Sequence, residues 1–124
     1  MVGVQQARQQ REAERVAQEK ALAVCKAGVQ IGDVDAVARD YIESQGYGKN
    51  FTHNLGHGVG IEIHEQPWMR KGSKVKLEER MLITIEPGVY LPGVGGVRIE
   101  DTILITKTGH ENLTDRPKAL LQIG

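Results

Sequence analysis

Apolar positions along the chain change period about a third of the way in. Residues 5–27 hold strong helix formers without Pro or Gly, and Ala13, Val16, Ala17, Ala21, Val24 and Cys25 fall at helical spacing. The first half, "QQARQQREAER", has almost no apolar face, so residues 1–15 are expected to be solvated or frayed unless something covers them. Gly28 supplies a stop. A second helix is expected from Asp33, read as its cap, to Gly46, with Val34, Val37, Ala38, Tyr41 and Ile42 as its apolar stripe.

From residue 47 the pattern becomes that of strands. "MLITIEPGVYL" and "GVRIEDTILIT" are β-branched runs joined by "PGVGG", which reads as a hairpin. Alternation puts Met81, Ile83 and Ile85 on one face and Leu82, Thr84 and Glu86 on the other. In the second run Val97, Ile99, Ile103 and Ile105 share a face, opposite Arg98, Glu100 and Thr102. "VGIEIHE" is a further strand candidate, with Val59, Ile61 and Ile63 on one side. Helix, helix, then strands implies an α+β fold with an antiparallel sheet, in one domain over residues 1–124.

Composition narrows the function classes. Lys plus Arg and Asp plus Glu are both 16, so no net field favours nucleic acid or an anionic membrane. With 15 Gly and 4% aromatics, the chain suits tight turns and an aliphatic core rather than a stacking platform for bases. The single Cys25 excludes an intrachain disulfide framework and suits a cytoplasmic setting. No run of eighteen apolar residues and no signal-peptide pattern is found, so neither membrane nor export is expected.

The candidate chemistry lies in "THNLGHGVGIEIHE", which carries His53, His57 and His64, three of the four histidines. Downstream, a hairpin symmetric about its Gly-rich turn would set Glu86 opposite Glu100. Directly opposed side chains sit about 4.5–5.5 Å apart at Cβ. Two ionised carboxylates there repel, and a shared proton, a nearby cation or a metal must relieve them. Arg98 on the same face is one source of positive charge, which would make this an ordinary solvated polar face. His57 is a third ligand candidate, and one imidazole with two carboxylates suits Mn²⁺, Co²⁺, Zn²⁺ or Fe²⁺. "HEQPW" lacks the second His of a zinc-protease helix, and "GHGVG" lacks the Lys-Ser/Thr of a phosphate loop.

"HNLGHGVGIEIHE", "MLITIEPGVY" and "GGVRIEDTILIT", with "VQIGDVDAVARDYIESQGYG" before them, closely resemble the Xaa-Pro peptidases, the prolidase and aminopeptidase P branch of the pita-bread metallopeptidases. The likeness runs over about residues 16–115, in the C-terminal part of the catalytic domain. It implies half of a pita-bread fold, two helices on a curved antiparallel sheet. It also implies hydrolysis of the peptide bond before proline, with a metal-activated water as nucleophile. Carried over, His57 would ligate metal, Glu86 would ligate and shuttle a proton, and Glu100 would bridge two ions. His53 and His64 would contact substrate, and Arg98 would orient the site.

The family's dinuclear site also uses two aspartates on strands before the first of these helices. Asp33, Asp35, Asp40 and Asp101 do not replace them, so the site is expected to be incomplete. Because the family's catalytic domain is an internal duplication, the resemblance implies as partner a second copy in a homodimer, or a complementary N-terminal half. The competing expectation is a non-catalytic half-domain scaffold that folds by homodimerisation.

Overall fold

The computed structural model describes residues 2–59, 65–91 and 95–114. Two helices come first, α1 (Val2–Ala23) and α2 (Ile31–Ser44), packed on each other. Ala17, Ala21 and Leu22 of α1 and Val34, Ala38 and Ile42 of α2 are buried in one core cluster. Small side chains at these contact positions let the two helices lie close.

Both helix boundaries facing residues 24–30 differ from the sequence reading, for one reason: backbone from far along the chain supplies the partners. α1 ends at Ala23 rather than 27. Beyond it, Ala27 N–H donates to Thr106 O (3.2 Å) and Gly28 N–H to Leu77 O (2.8 Å), with Gly28 at φ 93°. Asp33 is not the cap of α2. The cap is Gln30, whose side chain makes no capping bond, and Asp33 lies exposed in the first turn. The first free amides are met by a loop instead: Ile31 N–H reaches Val75 O and Gly32 N–H reaches Ser73 O, both at 2.8 Å. A Cβ on Gly32 would stand 2.6 Å from Ser73 O, so a side chain at this position excludes the contact. At the other end Gly46 (φ 89°) closes α2 as read from sequence, with Gly46 N–H on Glu43 O and Tyr47 N–H on Ile42 O.

Among the described residues seven strands follow: β1 (Gly56–Gly58), β2 (Glu65–Met69), β3 (Leu82–Ile85), β4 (Gly88–Leu91), β5 (Gly95–Arg98), β6 (Asp101–Ile105) and β7 (His110–Asn112). Five form an antiparallel sheet in the order β2-β1-β3-β6-β7, and β4 pairs with β5 separately. Ile83, Ile85, Ile103 and Ile105 are fully buried, as their alternation requires. Most of the "VGIEIHE" strand candidate falls on residues 60–64, outside the described residues, as do residues 92–94 of the turn. Cys25 is a buried core residue, and burial pushes its thiol up to about 12, which leaves it unreactive. Among the described residues no helix is long and apolar enough to cross a membrane.

The long hairpin has a single register and a break in its middle. Ile85 pairs with Asp101 and Gly88 with Arg98, so continuation of that register sets Glu86 opposite Glu100. Between the two ladders Pro87 has no N–H, and Glu86 N–H turns away to Leu55 O (2.6 Å). Side chains of α1 cover the gap. Gln10, Glu14 and Gln18, one helical stripe at i, i+4, i+8, are 1%, 0% and 0% exposed. Gln10 Nε2 donates to Val89 O (2.5 Å), Val89 N–H donates to Glu14 Oε1 (2.7 Å), and Gln18 Nε2 donates to Ile85 O (3.1 Å). Of the polar stretch expected to be solvated unless covered, Gln10 and Glu14 are covered by the chain's own hairpin, while Gln5, Gln6, Arg8, Gln9 and Glu12 stay exposed.

Burial pushes the Glu14 carboxyl up to about 8, against smaller opposing effects of the Val89 N–H and Arg11. Between the ordinary value of 4.5 and 8 the folded chain therefore holds a proton that the unfolded chain does not. Stability should be fully present below that window and fall as pH rises through it, by at most about 1.4 kcal/mol per pH unit. Glu14→Gln keeps an acceptor for Val89 N–H and cannot ionise. Urea midpoints at pH 6 and pH 9 should show a clear drop for the wild type and a much smaller one for the variant. Equal drops would assign the pH dependence to another group.

Candidate metal centre

His57 occupies the middle of β1, between two glycines with different duties. Gly56 lies so close to β3 that a Cβ there would be 1.8 Å from Thr84 O. His57 N–H donates to Thr84 Oγ1 (3.1 Å), which ties the strand at the same level. The carbonyl of Gly58 lies 2.8 Å from His57 Nδ1. A carbonyl only accepts, so Nδ1 carries a hydrogen and Nε2 is the nitrogen left to serve as a ligand. Glu86 Oε2 is 3.5 Å from that Nε2.

Glu86 and Glu100 enter from the break in the hairpin, one on each strand. Donor atoms of His57, Glu86 and Glu100 all lie within 4.8 Å of one another, and among the described residues this is the one such group. Glu86 is nearly buried, His57 half-buried and Glu100 exposed, so the group opens to solvent on the Glu100 side. Asp101 faces the other way, buried, with Oδ2 accepting from Asn112 Nδ2 (3.0 Å). Trp68 pairs with His57 across β1 and β2, and its ring meets the imidazole edge-on at 6.2 Å between centroids.

His53 stands outside that group. It lies in the loop before β1, with Nδ1–H on Asn54 O (2.5 Å) and its ring between Phe51 (5.1 Å) and Tyr90 (5.7 Å). Its Nε2 is buried and has no hydrogen-bond partner among the described residues. Gly88 leaves the space it occupies, since a Cβ there would be 2.6 Å from that nitrogen. His64 lies outside the described residues. So does the side chain of Arg98, whose backbone pairs with Gly88.

The sequence reading missed what holds the His53 loop. Asp35 of α2 is fully buried and takes a two-pronged ion pair from Arg39, at 2.8 and 3.0 Å. Arg39 also donates to Phe51 O (3.1 Å) and His53 O (3.2 Å), and its guanidinium lies over the Phe51 ring at 4.2 Å. The only sequence signal is an Asp and an Arg four residues apart, which surface helices carry routinely. Asp35→Ala should cost about 3 kcal/mol in urea denaturation, the lower end for a broken buried pair because Arg39 keeps some water contact. A loss below about 1 kcal/mol would show that the pair is replaceable.

Two helices on an open antiparallel sheet define the class: this is part of a pita-bread domain. The metallopeptidase family M24 matches residues 1–107, and the chain belongs to that family. It is 50% identical over 105 residues to an Xaa-Pro dipeptidase of Pyrococcus horikoshii, covering 85% of this chain and 30% of that protein. Against an Xaa-Pro dipeptidase of Lactobacillus helveticus the identity is 46% over 109 residues, 88% of this chain and 30% of the other. Among solved structures, an Xaa-Pro dipeptidase from Bacillus anthracis superposes with a TM-score of 0.91 at 44% identity, covering 94% of this chain and 33% of the other. A prolidase from Pyrococcus furiosus gives a TM-score of 0.86 at 47% identity, covering 89% and 33%. The chain thus spans about a third of the length of the relatives it matches.

Proposed function

We propose that this chain supplies His57, Glu86 and Glu100 to the divalent-cation site of a peptidase that cleaves the bond before proline. One observation carries the reading: His57, its Nδ1 engaged by Gly58 O, stands with two carboxylates so that donor atoms of all three lie within 4.8 Å of one another. The donor set fits a cation. Opposed carboxylates supply the negative charge, their mutual repulsion favours uptake of a positive ion, and imidazole with carboxylate suits Mn²⁺, Co²⁺, Zn²⁺ or Fe²⁺. A bound ion would polarise the scissile carbonyl and acidify a water.

The chain's own groups do the rest. Glu86, at the inner and drier end, serves as ligand and as the carboxylate that takes the proton from the attacking water. Glu100, on the solvent side, would reach a second ion. His53, with a buried nitrogen unsatisfied among the described residues, is placed to bind a polar atom of the peptide. His64 and Arg98 are proposed to contact and orient substrate. The single buried thiol suits a cytoplasmic protein.

Three donors among the described residues are few for two ions. The reading therefore includes a complementary partner, a second copy or an N-terminal half that contributes further ligands. Without one, the chain acts as a non-catalytic scaffold. Sedimentation together with an Xaa-Pro dipeptide hydrolysis assay in Mn²⁺ or Co²⁺ separates the cases. Turnover confined to an assembled species supports the peptidase. A stable monomer at micromolar concentration, or an assembly without turnover, would leave only the scaffold.

A further inference from the structure

We propose that Gln10, Glu14 and Gln18 are positioning residues for the cation site: they grip the backbone at the break in the hairpin and thereby fix the separation of Glu86 and Glu100. The inference rests on the metal reading above. The two glutamates lie between the Ile85↔Asp101 and Gly88↔Arg98 pairs, where one long bond, Ile99 N–H to Pro87 O at 3.4 Å, joins the strands. A carboxylate on such a segment goes where its backbone goes. Two like charges facing each other across so weakly bonded a gap push the strands apart until a cation arrives. Something must resist that push if the site is to be ready for an ion.

The stripe on α1 is built for the task. Gln18 Nε2 holds Ile85 O at 3.1 Å on the residue before Glu86, with a longer contact to Ile99 O at 3.4 Å on the residue before Glu100. One amide group thus touches both strands, each time next to a ligand. Glu14 and Gln10 hold the N–H and C=O of Val89, three residues past Glu86. All three side chains are buried, where a polar group is costly unless hydrogen-bonded, and the bonds they make run to the hairpin backbone. Two oxygens of the stripe, Glu14 Oε2 and Gln18 Oε1, are buried without a partner among the described residues. At i, i+4 spacing the two groups are neighbours on the helix, and a neutral Glu14 carboxyl has one O–H to give between them. The bonds of Gln10, Glu14 and Gln18 to Val89, Ile85 and Ile99 are all directed at the hairpin.

Titration with Co²⁺, followed by its d–d absorption, tests the role on the full chain. Gln18→Leu and Glu14→Leu should weaken Co²⁺ binding by tenfold or more and shift the bands, as loss of groups supporting ligands does elsewhere. Glu14→Gln keeps the acceptor for Val89 N–H and brings a donor for Gln18 Oε1, so it should restore affinity to within about threefold of wild type. Folded Leu variants with wild-type affinity and spectrum would overturn the positioning role while leaving the metal reading intact. Absence of any Co²⁺ signal in the wild type would remove the metal reading and the positioning role with it.

Should the Leu variants not fold, hydrogen exchange on the wild type decides. Coupling is reciprocal, so an ion that needs the clamp must tighten it. Saturating Zn²⁺ should slow exchange of the Val89 amide by at least tenfold. An unchanged rate would overturn the proposal.

Discussion

Gly56→Ala should leave the chain unable to reach its folded state. The added Cβ would sit 1.8 Å from Thr84 O, 2.6 Å from Thr84 C and 2.8 Å from Thr84 Oγ1. Two of those atoms are backbone of β3, so no rotamer change relieves the overlap. β1 would have to leave β3, giving up the bonds Val59 N–H to Leu82 O (2.9 Å) and Glu86 N–H to Leu55 O (2.6 Å). His57 would leave with it. Loss of this pairing, with core residues Leu55 and Met69 displaced, should exceed about 4 kcal/mol, at the far end of what single substitutions do. Gly109→Ala is the control, since nothing lies within 4 Å of its Cβ position. Circular dichroism and urea denaturation should show a cooperative transition for Gly109→Ala and none for Gly56→Ala. A Gly56→Ala chain within about 1 kcal/mol of wild type would mean that β1 does not lie where the structure puts it.

Side-chain alternation and helical spacing were enough to read the hairpin and the stripe of α2, because burial acts on individual side chains. Ile83, Ile85, Ile103 and Ile105 alternate with polar or partly exposed neighbours, and the register followed from a turn centred on its glycines. The opposition of Glu86 and Glu100 was legible for that reason. His57 was already a ligand candidate from its place among three histidines upstream of the two carboxylates, and the family resemblance gives it the same role.

What stayed hidden depends on backbone partners distant in sequence. Asp33 has the chemistry of a cap, yet the amides of α2 are met by carbonyls of residues 73–75. Gln10, Glu14 and Gln18 are polar at helical spacing, which is also how a solvated face looks. Only the broken ladder above them explains their burial. β1 lies in a stretch where glycine alternates with histidine and valine, and the glycines offer no side-chain pattern to read. Its position is set by how closely a residue without Cβ can approach Thr84.

Glu100→Gln should abolish cation binding while the protein stays folded. The amide keeps the shape and one acceptor oxygen but removes a full negative charge from a three-donor site. Mn²⁺ takes oxygen ligands of either kind, so what the amide lacks is the negative charge that attracts the ion. With one ligand charge gone, affinity should fall by at least about 100-fold, more than the tenfold to hundredfold typical of supporting residues. Stability should move the other way. Without metal, Glu86 and Glu100 repel across the hairpin, and neutralising the exposed partner relieves this without opening a cavity. Glu100 is exposed, so the gain is small, and the prediction is a Tm equal to or slightly above wild type.

Calorimetric titration of wild type and Glu100→Gln with Mn²⁺, run beside thermal melts of the same samples, puts the central claim to the test. Wild type should take up Mn²⁺ and melt higher with it, while Glu100→Gln shows no heat of binding and an unchanged or higher metal-free Tm. Wild type that takes up no ion, or a glutamine variant that binds equally well, would contradict a cation site built from His57, Glu86 and Glu100.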